Sequence, residues 1–195
     1  MIMRTFLCCL LLITTHCAVR AQSVPLTNAV SSLKKEAQTS DAEAQSLSSD
    51  LGTKAMALSK SLGTNAAAQT QLETAMNAVL GNKGPAALEG FQKLSTAKLT
   101  PEQTRLAKDV YNTGSAYVVK KNFGSLEGSQ TEVSQIVTSL RQGKTAEALP
   151  PLKKIGQNAN LTQPQKDIVA SLSERYAPGL KRAGDSLKSI PGLNK

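Results

Sequence analysis

The sequence predicts an all-α fold, a helical bundle or short helical array of about seven or eight helices. Three observations carry this expectation. Apolar residues recur every three or four positions along most of the chain, with no sustained two-residue alternation and no Asn-Gly or Asp-Gly hairpin turn. Residues that open and close helices punctuate the pattern at short intervals. The third is an internal repeat, which sets the same helix signals down twice with an offset that drifts through 60, 61 and 62 residues.

Residues 1–21 read as a secretory signal peptide. Arg4 supplies the positive start, residues 6–13 a short apolar run, and Val19-Arg20-Ala21 the small residues a signal peptidase inspects. Cys17 as a lipidated N-terminus is the rival reading, but His16 stands where a small residue is wanted. Cleavage after Ala21 leaves residues 22–195 as a single all-α domain, secreted or periplasmic. All three cysteines (Cys8, Cys9 and Cys17) and the only histidine, His16, lie in the removed segment, and the chain has no Trp. The remaining chain cannot form a thiolate nucleophile, an imidazole base, a disulfide or an ordinary zinc site. Neither an enzyme, a cofactor nor a metal site is therefore expected.

Within that domain, residues 22–66 form N-terminal helices. Leu26-Thr27 and Leu33 share the spacing of Leu99-Thr100 and Leu106. Over about 41–62, Leu47, Leu51, Ala55, Leu58 and Leu62 make one apolar face. Ser40-Asp-Ala-Glu43 reads as its capping box and Gly63 as its C-terminal cap. Residues 67–123 form the first three-helix unit, with helices near 68–81, 85–97 and 100–121. The second unit and a basic C-terminal tail occupy 124–195, with helices near 127–142, 145–157 and 163–176. In the repeat, Ala87-Leu88, Phe91, Leu94, Leu106 and Val110 are answered by Ala148-Leu149, Leu152, Ile155, Ile168 and Leu172. The single insertions fall at turns, which tolerate changes of length better than packed faces do. Pro150-Pro151 should kink or restart the middle helix of the second unit. Pro178-Gly179 should end the last long helix, leaving a short basic helix at 180–190. The expected core is Leu72, Met76, Leu80, Leu88, Phe91, Leu94, Leu106, Val110, Ile136, Leu140, Leu149, Leu152, Ile155, Ile168 and Leu172.

Leu99-Thr-Pro-Glu-Gln103 and Leu161-Thr-Gln-Pro-Gln165 are the sharpest local signals. Each Thr hydroxyl can accept from the amide three residues on, and each Gln side chain can reach back to the Thr N–H. Read alone, Leu99, Thr100, Gln103, Leu161, Thr162 and Gln165 are helix-capping residues. The two motifs also make the chain similar to the LTxxQ-type periplasmic helical proteins, the Spy- and CpxP-like stress chaperones. That resemblance implies an exported, all-α protein that cradles unfolded clients on a concave helical surface. The chain departs from the family in its few Met and Arg and its many Ser, Thr and Gly.

Other patterns point away from catalysis. Glu102 and Asp109, and likewise Asp167 and Glu174, are seven residues apart, about 10.5 Å along a helix, wider than paired glycosidase carboxylates. Ser31-Ser-Leu-Lys34 and Ser95-Thr-Ala-Lys98 match a Ser-x-x-Lys spacing but lack its companion elements. Gly81-Asn-Lys-Gly84 is a turn between helices. Tyr111 and Tyr117, near Lys120-Lys121, are too far around a helix from one another to stack successive bases and read as packing.

Charge is uneven. Residues 22–140 carry eleven Lys and Arg against ten Asp and Glu, whereas residues 141–195 carry ten against four. A basic C-terminal third can attract an anionic polymer or lipid surface, with Lys153, Lys154, Lys181, Arg182 and Lys188 as the candidate polyanion-binding residues. The leading expectation is a non-catalytic exported protein that binds a protein partner or client, as a scaffold, adaptor or chaperone-like binder. The alternative is the polyanion or membrane-surface binder.

Overall fold

A computed structural model describes residues 25–37 and 42–177, and every regular element among them is a helix. In chain order these are α1 (Leu26–Ala37), α2 (Ala42–Leu62), α3 (Ala66–Leu80), α4 (Gly84–Ser95), α5 (Pro101–Phe123), α6 (Gln130–Arg141), α7 (Leu149–Gly156) and α8 (Gln163–Tyr176). The signal peptide, the Ser40–Asp41 start of the expected capping box and the helix expected at 180–190 lie outside the described residues. None of the described helices is long and apolar enough to cross a membrane.

The three helices α2, α5 and α8 set the frame. Between α2 and α5, Lys120 pairs with Glu43 (2.7 Å), Lys54 Nζ donates to Thr113 Oγ1 (2.8 Å), and Gln103 Nε2 donates to the Ser61 carbonyl (2.7 Å). Residue numbers rise on α2 as they fall on α5, so the two helices are antiparallel. Gln165 Nε2 donates to the Asn122 carbonyl (2.7 Å), and Tyr176 meets Tyr111, so α8 runs antiparallel to α5 in turn. The pairs α3–α4 and α6–α7 connect these three helices. α1 packs on α2 and α3, where Ser48 Oγ donates to the Leu33 carbonyl (3.0 Å).

At both capping motifs the glutamine side chain does two jobs. Its Oε1 accepts from the Thr N–H of its own cap, at 3.0 Å for Gln103 and 2.9 Å for Gln165. Its Nε2 fastens the penultimate carbonyl of the preceding long helix. Sequence patterning shows the first job and not the second. Both threonines form the expected capping box, with the Thr100 hydroxyl accepting from Gln103 N (3.3 Å), and the Thr162 hydroxyl also donates to Gln165 Oε1 (3.1 Å). Leu161 is buried and Leu99 partly buried beneath their helix ends. Leu26 is the first residue of α1 rather than the residue before its cap, so the N-terminal segment does not open as the two motifs do.

α5 is the centre of the core. Every residue from Val110 to Val119 is buried, because α2, α4 and α6 all pack on it. Close approach depends on small residues. A Cβ on Gly114 would lie 2.4 Å from Phe91 Cε2, and one on Gly90 would lie 2.8 Å from the Ala75 Cβ. Of the expected core, Leu72, Met76, Leu88, Phe91, Leu94, Val110, Ile136, Leu140, Leu152, Ile155, Ile168 and Leu172 are buried. Leu80, Leu106 and Leu149 are only partly so.

The Leu149 difference follows from the prolines. Residues 145–148 form turns and α7 begins at Leu149, so Pro150 and Pro151 occupy its first turn, where a missing N–H leaves no bond unmade. The helix expected from 145 therefore starts four residues later, and Ala148 is buried instead. α6–α8 keep the helix order of α3–α5. Their lengths differ, at 12, 8 and 14 residues against 15, 12 and 23.

Candidate functional site

Two depressions on the surface are lined mainly by polar side chains. The larger is a shallow trough of about 570 Å³ along α6. Gln130, Ser134, Thr138 and Gln142 recur every fourth residue and so line up on one face, over about 18 Å of helix. The opposite face of α6 buries Val133, Ile136, Val137 and Leu140, which fixes which side chains remain outside. Among the described residues the trough's only charged lining residue is Glu147, whose carboxylate lies 3.8 Å from Lys144. Amides and hydroxyls along the row offer both donors and acceptors without charge.

The smaller depression is a cleft of about 360 Å³ where α5, the end of α4, the α6–α7 connection and the end of α8 meet. The Arg175 guanidinium lies 5.3 Å from the centre of the Tyr111 ring and donates to Ser95 Oγ at 3.0 Å. Tyr111 and Tyr176 meet edge to face, with ring centres 5.9 Å apart at 81°. Burial pushes both phenols up from their ordinary value, so both stay protonated across the physiological range. The Tyr176 and Ser115 hydroxyls are buried within hydrogen-bonding reach of one another and of Tyr111.

The residues singled out for polyanion binding are not gathered into one patch. Lys153 and Lys154 are exposed on α7, and the Lys154 ammonium is committed to Glu132 Oε1. Lys181, Arg182 and Lys188 lie outside the described residues. The Glu132 carboxyl is held below 4.5, first by the hydrogen bond from Lys154 and then by its own backbone amide. A carboxyl lowered in the folded state stabilises the fold above its unfolded value, and that contribution vanishes as pH falls through the folded value. Melting temperature should therefore drop below pH 4.5, and Glu132→Gln should flatten that acid limb. An acid limb as steep in the variant as in the parent chain would remove Glu132 from the account.

The residues weighed for catalysis are used locally. Ser95 gives its hydroxyl proton to the Gln92 carbonyl (2.8 Å), and Ser31 gives its own to Thr27 (2.9 Å). Asp109 pairs with Arg105 (3.2 Å), and Asp167 accepts from Gln163 (2.7 Å). Tyr111 and Tyr117 are buried, so neither offers a face to a nucleobase. Among the described residues no group of His, Cys, Asp and Glu could hold a metal ion. The Arg175–Tyr111–Ser95–Tyr176 cluster has no signature in the sequence, because its members are up to about 80 residues apart and share no spacing. Comparison with protein-family models, curated proteins and solved structures returns no match.

Proposed function

We propose that this chain is an exported, non-catalytic helical protein that binds another polypeptide along α6, as a scaffold, adaptor or chaperone-like binder. The observation that carries the reading is the uncharged row Gln130, Ser134, Thr138 and Gln142 on an open helix face. Such a row can hydrogen-bond the backbone and polar side chains of a neutral segment, and it asks no particular charge of the partner. The two Leu-Thr-x-x-Gln helix openings, which resemble those of the Spy- and CpxP-like chaperones, support the same class of function. We also read α3–α5 and α6–α8 as copies of one unit. The shared helix order and the paired Gln103 and Gln165 ties support that reading.

Salt separates this function from a polyanion or membrane-surface role. The chain should suppress aggregation of an unfolded, near-neutral client about equally at low and high ionic strength, since no ion pair is needed. A Lys181/Arg182/Lys188 triple Ala variant should do the same. Tight binding to heparin or anionic vesicles that collapses with salt and with that variant, with no effect on clients, would replace the proposal by its rival.

A further inference from the structure

We infer that the Arg175 cleft is a binding site for a small, hydroxylated oxyanion, a sugar acid or sugar phosphate, independent of the polypeptide surface on α6. The charge of the cleft is the first ground. Among the described residues its lining carries two cations, Lys108 and Arg175, and no carboxylate. Arg175 is partly buried, yet among the described residues it has no acidic partner. A cation drawn out of water without a counter-ion is costly, and an anion entering the cleft would remove that cost.

The second ground is preorganisation. Ser95 and the face of Tyr111 already hold the guanidinium, leaving N–H groups that can meet a planar carboxylate or a phosphate in paired hydrogen bonds. Little side-chain freedom remains to be lost when such a ligand arrives. Lys108, exposed on α5 at the same cleft, adds a second positive charge.

The third ground is the character of the remaining lining. Asn112, Thr104 and Thr145 supply donors and acceptors. Among the described residues no Ala, Val, Leu, Ile or Met lines the cleft. A ligand body rich in hydroxyls matches these groups, whereas an acyl or alkyl body would leave them unpaired. The volume of about 360 Å³ lies at the small end of ligand sites.

Calorimetric titration of the purified chain with glucuronate, glucose 6-phosphate and glucose tests the inference. At least one of the two acids should bind, and glucose should bind about tenfold more weakly or not at all. The two acids together show whether the carboxylate or the phosphate is the preferred head group. Arg175→Ala should weaken binding by about tenfold or more, as loss of a charge-assisted pair does. Lys108→Ala removes the second cation from an exposed position, so it should weaken binding of the acids while leaving the melting temperature in place. Absence of binding by both acids up to roughly 10 mM, glucose binding as tightly as the acids, or a folded Arg175→Ala or Lys108→Ala variant binding like the parent would each overturn it.

Discussion

Phe91→Ala should destabilise the protein by about 3–5 kcal/mol, read as a lower urea midpoint with an unchanged denaturant slope. Phe91 is fully buried on α4 and lies against α5 at Gly114, so its removal opens a cavity at the contact of two helices. Neither side can close it cheaply, because α5 is buried from Val110 to Val119 and is held by α2 and α6 as well. A whole domain of this size is stable by only about 5–15 kcal/mol, so the loss is a large share. A change below about 1 kcal/mol would mean that the α4–α5 contact is not packed as described.

Gly114→Ala tests the same contact from the other side, and two effects compete there. Alanine in a helix interior gains about 0.5–1 kcal/mol over glycine. Against that, its Cβ would lie 2.4 Å from Phe91 Cε2, on a ring that is fully buried. Overpacking of this kind costs about 1–3 kcal/mol, so the clash should win. Trimming the ring should reverse the sign, making Gly114→Ala neutral or stabilising in a Phe91→Leu background. The double-mutant cycle should therefore show a coupling of about 1 kcal/mol or more. Additive effects would show that glycine at 114 answers some need other than the ring.

These contacts mark what the amino-acid pattern reveals and what it hides. Helix positions were readable because periodicity and caps are local. Leu47 to Leu62 defines α2, and Thr100 with Gln103 defines the start of α5. The middle of α5 was less readable, since Asn112, Thr113 and Ser115 are polar yet buried, and nothing local announces that three helices enclose them. Pro150-Pro151 announces a restart of the helix but not its first residue, and the observed start at Leu149 puts Ala148 rather than Leu149 in the core. The cleft was hidden for a stronger reason. Arg175, Ser95 and Tyr111 become neighbours only when α8 turns back along α5, so their proximity is a property of topology alone.

The α6 trough stands between these cases. Its four-residue row is visible in the sequence once α6 is placed, but which side faces outward depends on Val133, Ile136, Val137 and Leu140 packing inward. Binding of a polypeptide along that row is the central claim. The most direct measurement is the affinity of a Ser134→Arg, Thr138→Arg double variant for an unfolded, near-neutral client, compared with the parent chain. Both sites are exposed, so the variant should keep the parent's helical signal and melting temperature. The account predicts that its affinity falls by about tenfold or more, because two long cations would occupy the row that the client must reach. Unchanged affinity in the folded double variant would contradict it.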